Sequence, residues 1–415
     1  MKRALFVSYY FPPLGGVGAL RPLKFAKYLG AFGWQVDVLT VDPKLGLKFD
    51  SSLAKDIPAE TRVRAAPTGE TRLTALDRFP FLKYWRLLFW PDAAVLWKAH
   101  ATRLGRLMNQ DRRYDLVFSS APPYSAHLIA ETLQRDLDVP WVADFRDPWS
   151  QNRSLHRLQP WRKGLDRMAE ARILSKADHV IAVTETLRED LLRDFSVAPE
   201  HVTTLPNGFD PEEFPPAPRP QNETLTLLYA GSAYGDYNPM AMLEGLERVA
   251  RDRPELRFRV RLVGAVSQWM RAHAASQRFS FAVELVDYLP HAAMPAEMQG
   301  ADLLLLFCPE RLRVALPAKL FEYLAAERPI LALLPADSEA DRLVRESGCG
   351  TVVNDPGAVA DAFSRCLDDW QQGRLLARPN PDLLRRFDRR QQAGELAALF
   401  DRIVEKRAIA MEPSR

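Results

Sequence analysis

Lys319 and Glu322 stand three positions apart in ALPAKLFEYLAAERPILALLP, residues 315–335. Side chains at that spacing project from one face of a helix. Pro317 suits the first helical position, because its missing N–H would have no partner there anyway. A positive helix end, an early lysine and a carboxylate one turn on suit a nucleotide diphosphate. The backbone N–H groups and Lys319 would face phosphate oxygens, and Glu322 would accept from ribose hydroxyls. The competing reading is an exposed ion pair on an ordinary helix, worth about 0.2–0.5 kcal/mol.

Three charged groups, Asp144, Arg146 and Asp147, crowd DFRDPW at the end of the apolar run 139–143. In open α/β sheets, ligands gather beyond the carboxyl ends of strands. The alternative is a structural Asp–Arg pair that fixes the loop. His127, in SAPPYSAHLIAETL, is a further acid–base candidate, set against a helix-capping or internally satisfied histidine. FPPLGGVG, residues 11–18, places Gly15, Gly16 and Gly18 between a strand and a helix. Glycines there let the backbone approach a ligand, although a purely structural loop would use them too. Cys308, Cys349 and Cys366 have no metal or redox spacing, and Asp136 and Asp138 end a helix rather than follow a strand. No metal and no cofactor is expected.

Strands are expected at 4–10, 35–41, 115–119, 139–143, 177–184 and 202–205, and again at 224–230, 257–263, 283–286, 301–308, 330–334 and 350–353. Helical patterns separate them, so the fold class is α/β with two doubly wound parallel sheets. The proline-rich PPAPRPQNE, residues 215–223, reads as a linker. Domains are expected at 1–212 and 224–380, joined by 213–223, with helices over 381–415. Gly231 and Ser232 open a glycine-containing loop after the first strand of the second domain. A dinucleotide fold competes for the first β–loop–α–β unit, with Asp42 as its ribose acid. Arg21 at the fingerprint's third glycine position argues against it.

At 415 residues, two domains are the default. With 47% hydrophobic and 26% charged residues, the composition is that of an ordinary globular chain. The net charge of +3 gives no sign of a nucleic-acid partner. Residues 1–210 carry +6 and the remainder −3, so the first half is the one suited to an anionic surface. Residues 72–108 mix Trp85, Trp90 and Trp97 with Lys83, Arg86, Lys98 and Arg103. Such a segment either packs as core or lies in a membrane interface; contact of 83–98 with an anionic membrane is carried forward beside core packing. Three unpaired-looking cysteines, no signal-peptide pattern and no transmembrane-length run give a cytoplasmic expectation, at most peripheral at the inner membrane face.

The 315–335 stretch and the PNGFD segment, 206–210, together resemble the donor-site helix and inter-domain hinge of family 4 glycosyltransferases. The resemblance implies the GT-B fold: two Rossmann-like domains facing across a cleft, with C-terminal helices crossing back to the first. It implies a retaining transfer of sugar from a nucleotide diphosphate sugar to a saccharide or lipid-linked hydroxyl, in surface or exopolysaccharide synthesis. Asp144 and His127 become catalytic candidates near the reacting sugar, Arg146 and Asp147 phosphate or acceptor contacts. Gly15, Gly16, Gly18, Gly231, Ser232, Lys319 and Glu322 become donor-binding. Many members carry a second glutamate eight positions before the Glu322 equivalent; here that position is Val314. Many also hold the phosphates with Arg and Lys soon after the Gly231 equivalent, whereas neither occurs here between Gly231 and Arg248. Lys319, with Arg311 or Arg313, would then supply the positive charge. A nucleotide-sugar epimerase of the same fold, an inactive partner-binding member of a polysaccharide assembly complex and a dinucleotide oxidoreductase are the alternatives.

Overall fold

A computed structural model describes all residues except 44–48, 75, 77–78, 80–81, 152–155, 157–158, 221, 232–238, 265–270, 272–278, 311–315 and 412–415. Ser232, Arg311, Arg313 and Val314 therefore lie outside the described residues, as do the side chains of Lys83 and Tyr84.

The chain forms two compact units, Met1–Pro206 with Arg389–Arg415, and Asn207–Asp388. The first is built on seven strands: β1 Lys2–Ser8, β2 Trp34–Val41, β3 Val63–Ala66, β4 Leu116–Ala121, β5 Trp141–Phe145, β6 His179–Ala182 and β7 Val202–Thr204. They pair in the order β3-β2-β1-β4-β5-β6-β7, all parallel. Its longer helices are α1 Val17–Leu29, α2 Lys98–Asp111, α3 Ser125–Leu137, α4 Arg162–Lys176 and α5 Glu185–Phe195. The central strands are buried on both faces, which is why they read as apolar runs rather than alternations. The strand order reverses between β1 and β4, the place where doubly wound sheets open a crevice at their carboxyl ends.

The second unit repeats the plan with β8 Leu225–Ala230, β9 Phe258–Val263, β10 Ala282–Val286, β11 Leu303–Phe307, β12 Ile330–Leu333 and β13 Gly350–Val353. The order is β10-β9-β8-β11-β12-β13, again parallel, with the reversal between β8 and β11. Its longer helices are α6 Met240–Asp252, α7 Ala318–Ala326, α8 Glu339–Ser347 and α9 Ala358–Gln371.

The short helix Pro381–Arg385 belongs to the second unit, and only the last helix, α10 Arg389–Met411, joins the first. α10 buries Ala393, Leu396 and Phe400 against Trp34 and Phe118. The Trp34 and Phe400 rings meet edge to face at 5.2 Å. Asp401 accepts from the Trp34 indole at 3.0 Å and pairs with Lys2 at 2.9 Å. Packing of this kind makes the tail part of the first unit's core rather than an appendage.

The tryptophans of the basic-aromatic segment point inward. Trp97 is fully buried beside Tyr9, Trp85 is buried, and Trp90 packs on the core with its indole N–H on Asp166 at 2.8 Å. Core packing, one of the two readings of this segment, is the one these three indoles follow. No helix among the described residues is long and apolar enough to cross a membrane.

Candidate active site

In the second unit, the candidate donor residues meet at the β8–β11 reversal. β8 ends at Ala230 and the chain turns at Gly231, with φ +132°. Gly264, with φ +136°, directly follows the end of β9. Gly231 donates to the Val263 carbonyl at 2.8 Å, and Gly264 to that of Val286 at 2.9 Å. A Cβ on Gly264 would sit 2.4 Å from the Gly231 oxygen, and one on Gly231 would sit 2.6 Å from Lys319 Nζ. Both positions need glycine for conformation and for space.

α7 is delivered to this point by Pro317, which is its N-cap with extended ψ rather than its first helical residue. Lys319 then lies in the first turn. Its ammonium sits 3.8 Å from the centroid of the Tyr229 ring, which stacks on Phe307 at 4.2 Å. Burial is the main influence on the lysine and pushes it down to about 7, while Cys308 and Glu322 pull the other way. The Tyr323 hydroxyl accepts from the Ala230 N–H at 2.8 Å, fixing the helix to the end of β8. A cation in the first turn of a helix, over an aromatic face and against a side-chain-free backbone, has the chemistry to receive an anion.

Glu322 is half-buried one turn on. His291 lies between it and Glu213: Nδ1 is 3.9 Å from Glu322 Oε1, and Nε2 is 3.1 Å from Glu213 Oε2. This supporting pair escaped the sequence reading, since the three residues are far apart in the chain and follow no motif. Gly264 had a visible signal, a glycine closing the strand RFRVRLVG, and Tyr229 had none.

In the first unit, Asp144 occupies a different place from the one expected. It lies within β5, opposite Ser120 of β4 and Ile181 of β6, and is fully buried. Arg21 donates to both carboxylate oxygens, with Nη2 2.8 Å from Oδ1 and Nε 3.0 Å from Oδ2. Ser120 Oγ donates to Oδ2 at 2.7 Å. Arg21 also reaches the carbonyls of Leu205 and Pro206, so it ties α1, β5 and the chain after β7 together. Burial alone would raise the Asp144 carboxyl, but the Arg21 charge and the hydrogen bonds outweigh it and hold the group below the usual carboxylate range. Asp144 is thus enclosed in an ion pair with Arg21 rather than exposed at the strand end.

His127 is enclosed as deeply. It is fully buried on α3, with Nδ1 2.8 Å from Ser119 Oγ and its ring 4.5 Å from that of Phe145. Burial pushes it down to about 3, which favours the neutral form, and Nε2 is buried without a hydrogen-bond partner among the described residues. Arg146 donates to the carbonyls of Gly18 (2.7 Å), Ala121 (3.2 Å) and Pro122, binding the glycine loop to the β4–α3 loop. Three of its five N–H donors are spent on backbone. Gly18 is tight: a Cβ there would lie 2.9 Å from the Tyr10 ring. Gly15 is half-buried, and Gly16, with φ +98°, caps α1 and is exposed. Asp147, two residues beyond the end of β5, is exposed, and its carboxylate makes no hydrogen bond or ion pair among the described residues. Of the acidic pair at this strand end, Asp147 is the one with exposed surface; burial of its carboxyl nevertheless raises it, against the pull of the Arg146 charge.

Residues 15–208 match the family described as Glycosyl transferase 4-like domain, and residues 224–369 match Glycosyl transferases group 1. The chain is 23% identical to a glycogen synthase of Mycobacterium tuberculosis over 314 residues, covering 72% of this chain and 71% of the relative. Among solved structures, sucrose-phosphate synthase from Thermosynechococcus elongatus superposes with a TM-score of 0.67 at 17% identity, covering 98% of this chain and all of that one. Anabaena HepE in complex with UDP-glucose gives 0.63 at 16% identity, covering 96% and 99%. At these identities the structural likenesses speak for the fold.

Proposed function

Since the chain belongs to the family-4-like glycosyltransferases of GT-B fold, we propose that it moves a sugar from a nucleotide diphosphate sugar to a hydroxyl of a saccharide or lipid-linked acceptor, with retention, in surface polysaccharide synthesis. The observation that carries the donor class is the Lys319 ammonium in the first turn of α7, held over Tyr229 against Gly231 at the strand-order reversal. The UDP-glucose bound to the HepE relative supports the same class.

In this reading the bond between the anomeric carbon and the diphosphate oxygen breaks, and a bond from that carbon to the acceptor oxygen forms. The acceptor proton leaves with the nucleoside diphosphate. The demand on the protein is to stabilise negative charge on the departing diphosphate. Lys319 and the α7 N-terminus meet it, and the glycine strand ends let phosphate oxygens come within hydrogen-bond reach of backbone. Glu322, steadied by His291, accepts from the ribose hydroxyls. Asp147 is the carboxylate available to orient the acceptor hydroxyl. Arg21, Asp144 and Arg146 hold the strand end and glycine loop on which it sits.

A thermal-shift screen against nucleotide diphosphate sugars and free nucleotides tests the donor class. A ligand at about 100 times its dissociation constant stabilises by about 2.7 kcal/mol. One nucleotide series should raise the melting temperature in the wild type and not in Lys319→Ala. A panel without any shift would contradict the proposal.

A further inference from the structure

The outward face of α4 has no counterpart in the transfer chemistry. Trp161, Leu165 and Met168 are spaced four and three apart, so they form one ridge. They are 59%, 43% and 71% exposed. Leu88, 81% exposed, belongs to the segment joined to the start of the same helix: Gln159 donates to the Leu87 carbonyl, and Arg162 to that of Pro91.

The charges of α4 are sorted by sign. Its two acids, Asp166 and Glu170, are fully buried. Asp166 accepts from the Trp90 indole and faces His156, and Glu170 accepts from the Ser150 N–H. Every charged side chain on the exposed face is basic: Lys163, Arg167, Arg172 and Lys176. Arg172 pairs with Glu131 at 2.7 Å, and Arg167 donates to the Asp194 carbonyl while lying over the Phe195 ring. Lys163 and Lys176 have no ion-pair partner among the described residues. An ordinary surface helix turns mixed charges outward and its apolar stripe inward; this one shows an aromatic–aliphatic ridge rimmed by positive charge.

We propose that this face docks on an anionic lipid surface. The ridge would enter the headgroup–acyl boundary, the basic rim would meet lipid phosphates, and the helix would lie in the interface plane. The unpaired Lys163 and Lys176 select an anionic partner, Arg172 and Arg167 lying against Glu131 and Asp194, and a tryptophan beside long aliphatic side chains suits a boundary that is apolar below and wet above. The inference stands on α4 alone and does not depend on the transfer reading. If both hold, the acceptor is lipid-linked.

The test is co-sedimentation of the full chain with vesicles of phosphatidylcholine containing phosphatidylglycerol, and with phosphatidylcholine alone. Binding is expected to the anionic vesicles at low salt, to weaken as salt rises, and to be lost in Leu165→Glu/Met168→Glu. Lys163→Ala/Lys176→Ala should weaken it by about fivefold per charge removed. Because all four positions are exposed, circular dichroism and melting temperature should match the wild type and exclude misfolding as the cause. A protein that stays in the supernatant with anionic vesicles at low salt overturns the proposal. So does binding that the α4 variants leave intact, which would place the contact elsewhere. Self-association abolished by the same variants without vesicle binding would identify a second copy as the occupant and would also overturn it.

Discussion

Donor affinity should depend on pH through Lys319. Burial lowers this ammonium to about 7 in the free protein, so it is mostly charged near about pH 6 and mostly neutral near about pH 8. A bound diphosphate favours the charged form and raises the value again. Binding above about pH 7 must therefore take up a proton. If the protonated lysine is the binding form, the apparent dissociation constant rises by about tenfold between about pH 6 and about pH 8. Intact nucleotide sugar is the right probe, because its diphosphate does not titrate across this range. Calorimetry at two pH values, in two buffers of different ionisation enthalpy, measures both the affinity and the proton uptake. In Lys319→Ala the affinity should be weak and nearly independent of pH. Equal wild-type affinity at both ends of the range, with no proton uptake, would refute a role for this ammonium in phosphate binding. The same depression predicts a stability trend. A lysine whose folded value lies below its unfolded value opposes folding most at low pH, and the deficit fades as pH climbs from about 7 toward the unfolded value.

Gly231→Ala should weaken donor binding, since the new Cβ would displace the Lys319 ammonium and the backbone sits at φ +132°; donor titration of the folded variant checks it. Asp144→Ala should cost about 3–5 kcal/mol of stability, because it leaves Arg21 buried without its carboxylate; denaturant unfolding measures it, and a loss below about 1 kcal/mol would refute the positioning role. Glu322→Gln should weaken nucleotide sugar more than free pyrophosphate, and His291→Ala should shift affinity in the same direction by less, as a group acting through Glu322; parallel titrations with both ligands separate the roles.

The alternation of apolar runs and helical patterns made twelve of the thirteen strands legible. The exception, β3, is a four-residue edge strand, VRAA, exposed at Arg64, and its short half-polar pattern has no buried run to announce it. The Lys319–Glu322 helix was legible because its parts are local. Asp144 was misread because its partner, Arg21, lies 123 positions away. A carboxylate ending a buried strand and one opening the next loop also look alike until the side-chain direction is known. The two readings of His127 stayed open for a similar reason, since only the fold reveals Ser119 and Phe145 around it. The tryptophans of 85–97 stayed open between core and interface for the same reason. Apolar residues at helical spacing are core by default, and composition carries no information about which of two amphipathic segments faces out.

The measurement that tests the central claim most directly is product analysis after incubation with the nucleotide sugar that shifts the melting temperature and a panel of saccharide and lipid-linked acceptors. Nuclear magnetic resonance of the purified product reads the new glycosidic bond and its anomeric configuration. The account predicts acceptor-dependent release of nucleoside diphosphate, a product with the donor's anomeric configuration, and loss of both in Lys319→Ala. Conversion of the donor to an epimer without any acceptor, or an inverted linkage, would contradict it.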